Sequence, residues 1–366
     1  MVKVSAGDPR GGRRVPLIVT EDVVLLDDLL RLCAAAGVRP EVGHGAPEGR
    51  GRWEAAPLVL VGGDAAGRLR GAARRDGVML VGRDQDDPGV WRRAVEIGAE
   101  QVLMLPDAEQ WLMDRIADVA EGVGRPALTV GVLGGRGGAG ASTLACGLAA
   151  ASVAAGRRTL LVDADPLGGG LDVLLGGEAT DGLRWPAFAH SRGRVGSAAL
   201  EESLPCVHGM RVLSWDRGDL TAVPPEAVRV VLAAGRRQGG AVVVDLPRRV
   251  DAGSVEALAQ LDLGLLVVPP ELRAVAAARR VADAVGMLVR DLRVVAAPAR
   301  GARRSGVLDA DEVARLIGLP LAGELPLDTG VLAGRTPQAA SGGPLWRFCA
   351  GFWERVPVAV EQAETS

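Results

Sequence analysis

Residues 131–143 read Gly131-Val132-Leu133-Gly134-Gly135-Arg136-Gly137-Gly138-Ala139-Gly140-Ala141-Ser142-Thr143. From Gly135 to Ser142 they follow the phosphate-binding pattern G-x-x-x-x-G-K-[ST], except that Ala141 stands where the lysine belongs. That lysine reaches the β- and γ-phosphates and stabilises charge that develops in phosphoryl transfer. The only lysine in the 366-residue chain is Lys3, so no other can take its place. The stretch predicts a nucleotide-switch fold whose chemistry is altered at its centre.

Working outward, Leu128–Leu133 reads as a buried strand and Ser142–Ala155 as a helix, the strand–loop–helix context such a loop requires. Further strands are predicted at Thr159–Asp163, Val242–Asp245, Leu263–Val268 and Val294–Ala297. Two of them end in acids: Asp163-Ala164-Asp165-Pro166 and Val242-Val243-Val244-Asp245. Mg²⁺ is a hard cation that takes oxygen ligands, and an acid must orient an attacking water. Ser142, Asp163 and Asp245 are therefore the candidate Mg²⁺ ligands and Asp165 the candidate catalytic acid. Arg136, Gly137, Gly138, Gly140, Ala141, Ser142 and Thr143 form the candidate ATP-binding set, with backbone N–H groups of Gly138, Gly140 and Ala141 cradling phosphate. A glycine-rich turn with acids that merely cap helices is the competing reading. Loop and acids recurring in the right order weigh against it.

The first third alternates in the same way. Strands are expected at Val15–Val19, Pro40–Val42, Leu58–Val61, Val78–Val81 and Val102–Leu105, with helices at Val23–Ala36 (closed by Gly37), Pro88–Ile97 and Ala108–Val119. Strands and helices of this length imply two doubly wound α/β domains with mainly parallel sheets. The expected division is a flexible arm at 1–14, a first domain at 15–120, a linker at 121–127, the loop-bearing domain at 128–345, and a terminal helix and tail at 346–366.

Composition bounds the rest. A net charge of −3 argues against a protein that coats nucleic acid. Cys33, Cys146, Cys206 and Cys349 form no C-x-x-C pair, which suits reduced thiols. The N-terminus shows no apolar signal core, and no run of about 18 apolar residues suggests a membrane span. A cytoplasmic location is expected. His44, His190 and His208 are too scattered for a zinc site.

R-G-G-x-G-x-S-T followed by L-V-D-A-D-P resembles the deviant Walker A ATPases that include MinD and ParA. That loop carries a lysine on each side of its glycines; here the positions hold Arg136 and Ala141. Gly323-Glu324-Leu325-Pro326-Leu327-Asp328 resembles the family's late G-x-I-P-x-D segment. The run Asp163–Asp172 with Gly182-Leu183-Arg184-Trp185 is most similar to the septum-site-determining (Ssd) and CpaE/TadZ-like branch. Residues 15–119 resemble a response-regulator receiver stripped of working groups. Thr20-Glu21 stands at its acid pair, Gly62 at its phosphoacceptor, Gly82 at its hydroxyl and Leu105, before Pro106, at its lysine. Asp64 reads as a turn residue or a displaced acceptor.

The resemblance implies a localisation factor acting through nucleotide-linked homodimers or docking. Its partners would be cell-division or pilus and secretion proteins, and it would be recruited to a pole, the septum or the inner membrane face. It implies weak or no ATPase activity, with a slow ATPase as the alternative, and leaves Arg136 either reaching across a dimer or lying as an exposed loop arginine. Adenine selection is altered too, since the family's asparagine position falls at Ala296–Pro298. Arg279-Arg280 and Arg300-Gly301-Ala302-Arg303-Arg304 read as solvated faces rather than a DNA surface. Leu345–Arg355, with Trp346, Phe348, Cys349, Phe352 and Trp353, suits core packing better than peripheral membrane contact and is expected to stop at Pro357. Trp185 and Trp215 read as buried aromatics or as the wall of a partner groove.

Overall fold

The computed structural model describes residues 15–43, 50–120, 126–191, 193–298, 308–328 and 342–363. The expected arm at 1–14, His44, residues 121–125 of the linker and Arg300–Arg304 lie outside the described residues. The chain divides into two compact units, 1–124 and 125–366.

In the first unit the elements run β1 (Leu17–Val19), α1 (Val23–Ala35), β2 (Glu41–Gly43), α2 (Arg50–Ala55), β3 (Val59–Gly62), β4 (Val78–Gly82), α3 (Val90–Ile97), β5 (Gln101–Met104) and α4 (Glu109–Ala120). The strands pair in parallel in the order β2-β1-β3-β4-β5, a doubly wound flavodoxin-like sheet. Side-chain alternation splits the apolar runs between two cores. Ile18, Leu60, Met79 and Val81 pack with Leu29, Leu112 and Ile116, while Leu17, Val19, Val61 and Leu80 pack with Trp53, Val90 and Ile97. Asp22 starts α1 by accepting from the N–H groups of Val24 and Leu25.

The second unit contains β6 (Leu128–Gly134), α5 (Ala141–Ala154), β7 (Thr159–Asp163), α6 (Leu171–Leu174), α7 (Ser197–Ser203), β8 (Cys206–Val207), β9 (Met210–Leu213), α8 (Pro225–Arg237), β10 (Ala241–Leu246), α9 (Ala252–Leu258), β11 (Leu263–Val268), α10 (Leu272–Val285), β12 (Leu292–Ala296), α11 (Ala310–Ile317), β13 (Leu321–Glu324) and α12 (Pro344–Ala363). Its eight strands are ordered β13-β12-β11-β6-β10-β7-β9-β8, all parallel except the β8–β9 hairpin. That hairpin was not legible as two strands because β8 has only two residues. Its signal was the turn His208-Gly209, where both residues have positive φ.

α5 is buried on nearly every side, as a helix lying between two apolar layers must be. It packs against the sheet and against α12, and its small residues allow close approach; a side chain at Gly147 would meet Cys349 Sγ at 3.1 Å. Leu345, Cys349, Phe352, Trp353 and Val356 of α12 are all buried there. Of the aromatic residues that suggested membrane contact, Phe352 and Trp353 are thus spent on the core, and Trp346 and Phe348 pack against it half-buried. No helix among the described residues is long and apolar enough to cross a membrane.

The expected stop at Pro357 is corrected, for α12 continues to Ala363. Pro357 has no N–H for the carbonyl four residues back, that of Trp353. The Arg157 guanidinium supplies the missing donor, bonding that carbonyl at 3.2 Å while lying 5.2 Å from the Trp353 ring centroid. A tertiary contact therefore satisfies the acceptor that proline leaves open.

Candidate functional site

β6 delivers the chain into the glycine-rich loop, and α5 leaves it at Ala141. Gly138 (φ +70°) and Gly140 (φ +101°) occupy the left-handed region, where other residues would be strained. The first N–H groups of α5 have no partners within the helix, which suits an anion. The loop from Arg136 to Thr143 lines a cavity of about 290 Å³ together with Asp165, Asp245 and Arg248.

Sheet register sets the acids. Asp245 at the end of β10 pairs by Cα with Val132 on β6 and with Asp163 on β7. The two carboxylates are thus neighbours at the carboxyl ends of adjacent strands, beside the crevice where such sheets bind ligands. Burial pushes Asp245 up to about 7; the Ser142 hydroxyl donates to it and opposes the rise, while Asp163 and Asp165 add to it. Burial likewise raises Asp163 to about 6. Its carboxylate accepts from Ser214 Oγ (2.8 Å), Leu171 N–H (3.0 Å) and Asp165 N–H (3.2 Å), and it does not line the cavity. Asp165 is half-buried and does line it, accepting from Leu167 N–H at 3.1 Å.

A buried acid held near neutrality, hydrogen-bonded to a hydroxyl at a glycine-built anion cradle, is a donor set that fits a nucleotide-bound Mg²⁺. Ser142 and Asp245 would hold the ion directly, with Asp163 behind them. Bound there, the ion would neutralise charge on the phosphate oxygens.

Between about pH 4 and pH 7 the folded chain keeps a proton at Asp245 that the unfolded chain has released. Stability therefore falls as pH rises through that window, by roughly 1.4 kcal/mol per unit of displacement. Asp245→Asn is expected to flatten this part of the pH profile and to stabilise the ligand-free chain at pH 8. Urea titrations from pH 4 to 8 check it, and parallel profiles for variant and native chain would contradict it.

Sequence reasoning missed three residues here. Asp172 is 1% exposed and pairs with Arg184 (3.4 Å) and Arg217 (3.1 Å). Ser214 bridges it to Asp163. Asp172 lay inside the D-A-D-P-L-G-G-G-L-D run; nothing local marked Ser214. Arg248 follows Asp245 by three positions, which was its only signal. Trp185 and Trp215 are buried, 5.9 Å apart, and both indole N–H groups donate to the Asp163 carbonyl. They brace the strand end that carries the acids. They also wall a separate cavity of about 210 Å³. Arg136 lines the loop cavity and pairs with Glu271 at 3.3 Å.

In the first unit, Gly62 closes β3 where the receiver's acceptor would stand, and a side chain there would collide with Asp64 and Thr20. Asp64 accepts from Thr20 Oγ1 and Glu21 N–H, both at 2.7 Å. Partial burial pulls its carboxyl up, but those bonds and Arg68 together hold it below the usual carboxylate range. A side chain at Gly82 would press on Met104, and Leu105 is buried. Gly62→Asp is expected to cost the first unit about 1–3 kcal/mol by overpacking and to take no phosphoryl group from acetyl phosphate. A variant as stable as the native chain that carries a phosphoryl adduct at that position would overturn this.

Fold and site define a P-loop nucleotide-binding α/β unit preceded by a receiver-type unit. Residues 130–335 match the CobQ/CobB/MinD/ParA nucleotide binding domain, and residues 19–126 match the Rv3660c-like, CheY-like N-terminal domain. The chain belongs to the MinD/ParA family of P-loop NTPase folds, with a CheY-like domain in front. It is 41% identical over 308 residues to the uncharacterized protein Rv3660c of Mycobacterium tuberculosis, covering 82% of this chain and 85% of that one. A putative septum site-determining protein MinD of Nephroselmis olivacea is 29% identical over 207 residues, covering 55% of this chain and 74% of that protein. Among solved structures, a ParA family ATPase from Chlorobium tepidum superposes with a TM-score of 0.56 at 18% identity, covering 64% of this chain and all of that one. A MinC:MinD cell division protein complex from Aquifex aeolicus gives 0.53 at 21%, covering 63% and 95%. These two likenesses show the fold.

Proposed function

We propose that the protein is a nucleotide-linked localisation and regulatory factor of the septum-site-determining, CpaE-like kind. It acts in cell-division site control by nucleotide-dependent dimerisation or docking rather than by turnover. The observation that carries this reading is one cavity that keeps the loop glycines, Ser142, Asp165 and Asp245 but holds Ala141 in place of the lysine. The crowded Gly62 position supports it, because the CheY-like unit is then a docking module without phosphoryl chemistry. The names of the MinD relatives, septum site-determining proteins, favour division over other roles. Positioning of pilus or secretion machinery is the neighbouring reading.

Two groups of residues would hold ATP: the loop amides would take the phosphates, and the apolar walls at Pro269, Pro298, Leu325 and Pro326 would face the base. Arg136, tied to Glu271, would exchange that partner for phosphate across a homodimer. The second reading, a slow ATPase, rests on Asp165 lining the same cavity. Titration calorimetry with Mg²⁺-ATP and Mg²⁺-ADP, with molar mass measured in each state, tests the proposal. Binding tighter than millimolar with an ATP-dependent rise in mass is expected. Weaker binding with no change in mass overturns it, and phosphate release abolished by Asp165→Ala would replace it with the ATPase reading.

A further inference from the structure

We infer that Arg248 supplies the phosphate-contacting cation that the loop has lost at position 141. The inference rests on the nucleotide reading above. Arg248 follows β10 on the segment Leu246-Pro247-Arg248, and all three residues line the loop cavity. Its guanidinium lies against the loop backbone, with Nη2 3.7 Å from where a Cβ on Gly137 would stand. Arg248 is exposed, and among the described residues no hydrogen bond or ion pair engages it.

The contrast with neighbouring arginines is informative. Arg136 is tied to Glu271, and Arg184 and Arg217 are tied to Asp172. Arg249, next in sequence, does not line the cavity. Arg136 commits both terminal nitrogens, to the Gly137 carbonyl and to Glu271, and leaves only a buried Nε without a partner. Among the described residues Arg248 is thus the cavity-lining cation whose whole guanidinium fork is open. Apart from Arg136, whose charge is shared with Glu271, the cavity otherwise presents the acids Asp165 and Asp245, so a polyphosphate entering it needs a counter-charge besides a metal ion. A guanidinium fork suits phosphate oxygens, and its entry from the β10 side places it three residues beyond the metal-side carboxylate. The ligand class is the phosphate chain of a nucleoside triphosphate.

Calorimetric titration of the full chain with Mg²⁺-ATP provides the test, using Arg248→Gln, Arg248→Lys and, as a charge-matched control, Arg249→Gln. A hydrogen bond to a charged group is worth about tenfold or more in affinity. Arg248→Gln is expected to weaken ATP binding by about that factor and to reduce its salt dependence, with an unchanged melting temperature. Arg248→Lys should recover part of the loss, and Arg249→Gln should match the native chain. In an Ala141→Lys background the loss from Arg248→Gln should shrink, because two cations then serve one anion. If the native chain binds ATP and Arg248→Gln binds it equally well, the Arg248 assignment fails while the nucleotide reading stands. If the native chain binds no ATP, both fail.

Discussion

Ala141→Lys is expected to raise phosphate release by the full chain about a hundredfold or more. A single preorganised donor aimed at developing charge is worth about 10²–10³ in rate. Ala141 is the first residue of α5 and lines the same cavity as Ser142, Asp165 and Asp245, so the rest of the constellation is already assembled around it. The position is half-buried, and the adjoining space of about 290 Å³ accommodates the longer side chain. Steady-state release of inorganic phosphate measures the effect. Ala141→Met, which adds bulk without charge, should leave the rate at the native level. Adding Asp165→Asn to the lysine variant should remove the gain. An Ala141→Lys rate equal to the native one would show that the acids are no longer arranged for chemistry, and would leave the site to binding alone.

Trp353→Ala is expected to destabilise the second unit by about 3–5 kcal/mol, the usual cost of emptying a large aromatic site. Trp353 is 2% exposed, donates its indole N–H to the Leu148 carbonyl at 2.8 Å and meets Phe352 edge-on at 5.3 Å. Its loss opens a cavity between α5 and α12 and leaves the Leu148 carbonyl without that donor. Arg157→Ala should cost less, since it removes a charged hydrogen bond to the Trp353 carbonyl and a cation–π contact while leaving the packing in place. Urea unfolding of the full chain, with each unit followed by its own transition, reads both variants. A loss below about 1 kcal/mol for Trp353→Ala would mean that α12 is not held on α5, and would return its aromatic face to membrane contact.

Most strands were readable from apolar runs, and two of them, Thr159–Asp163 and Leu263–Val268, coincide with β7 and β11 to the residue. Both are fully buried central strands, for which a continuous apolar run is a complete local signal. Edge elements were harder. β13 is only half-buried, and its partner β12 shifts register between Val294 and Val295, so no clean period marks it. The candidate site was legible wherever its parts are contiguous: the loop, Ser142 and the strand-end acids. Ser214 and Arg248 were not, because each belongs to the site through a neighbour distant in sequence.

The sequence by itself determined the strand–loop–helix frame, the absence of a usable lysine and the presence of acids at the ends of β7 and β10. Those features depend on residue identity and on periods of two and 3.6, which a chain carries locally. Tertiary structure alone decided what the groups became. It drew Asp163 into hydrogen bonds with Ser214 and Leu171, left Asp245 buried beside it, filled the space at Gly62 with Asp64, and carried α12 past Pro357 through Arg157. The physical reason is common to all four. Desolvation, packing space and hydrogen-bond partners are set by side chains that only folding brings together.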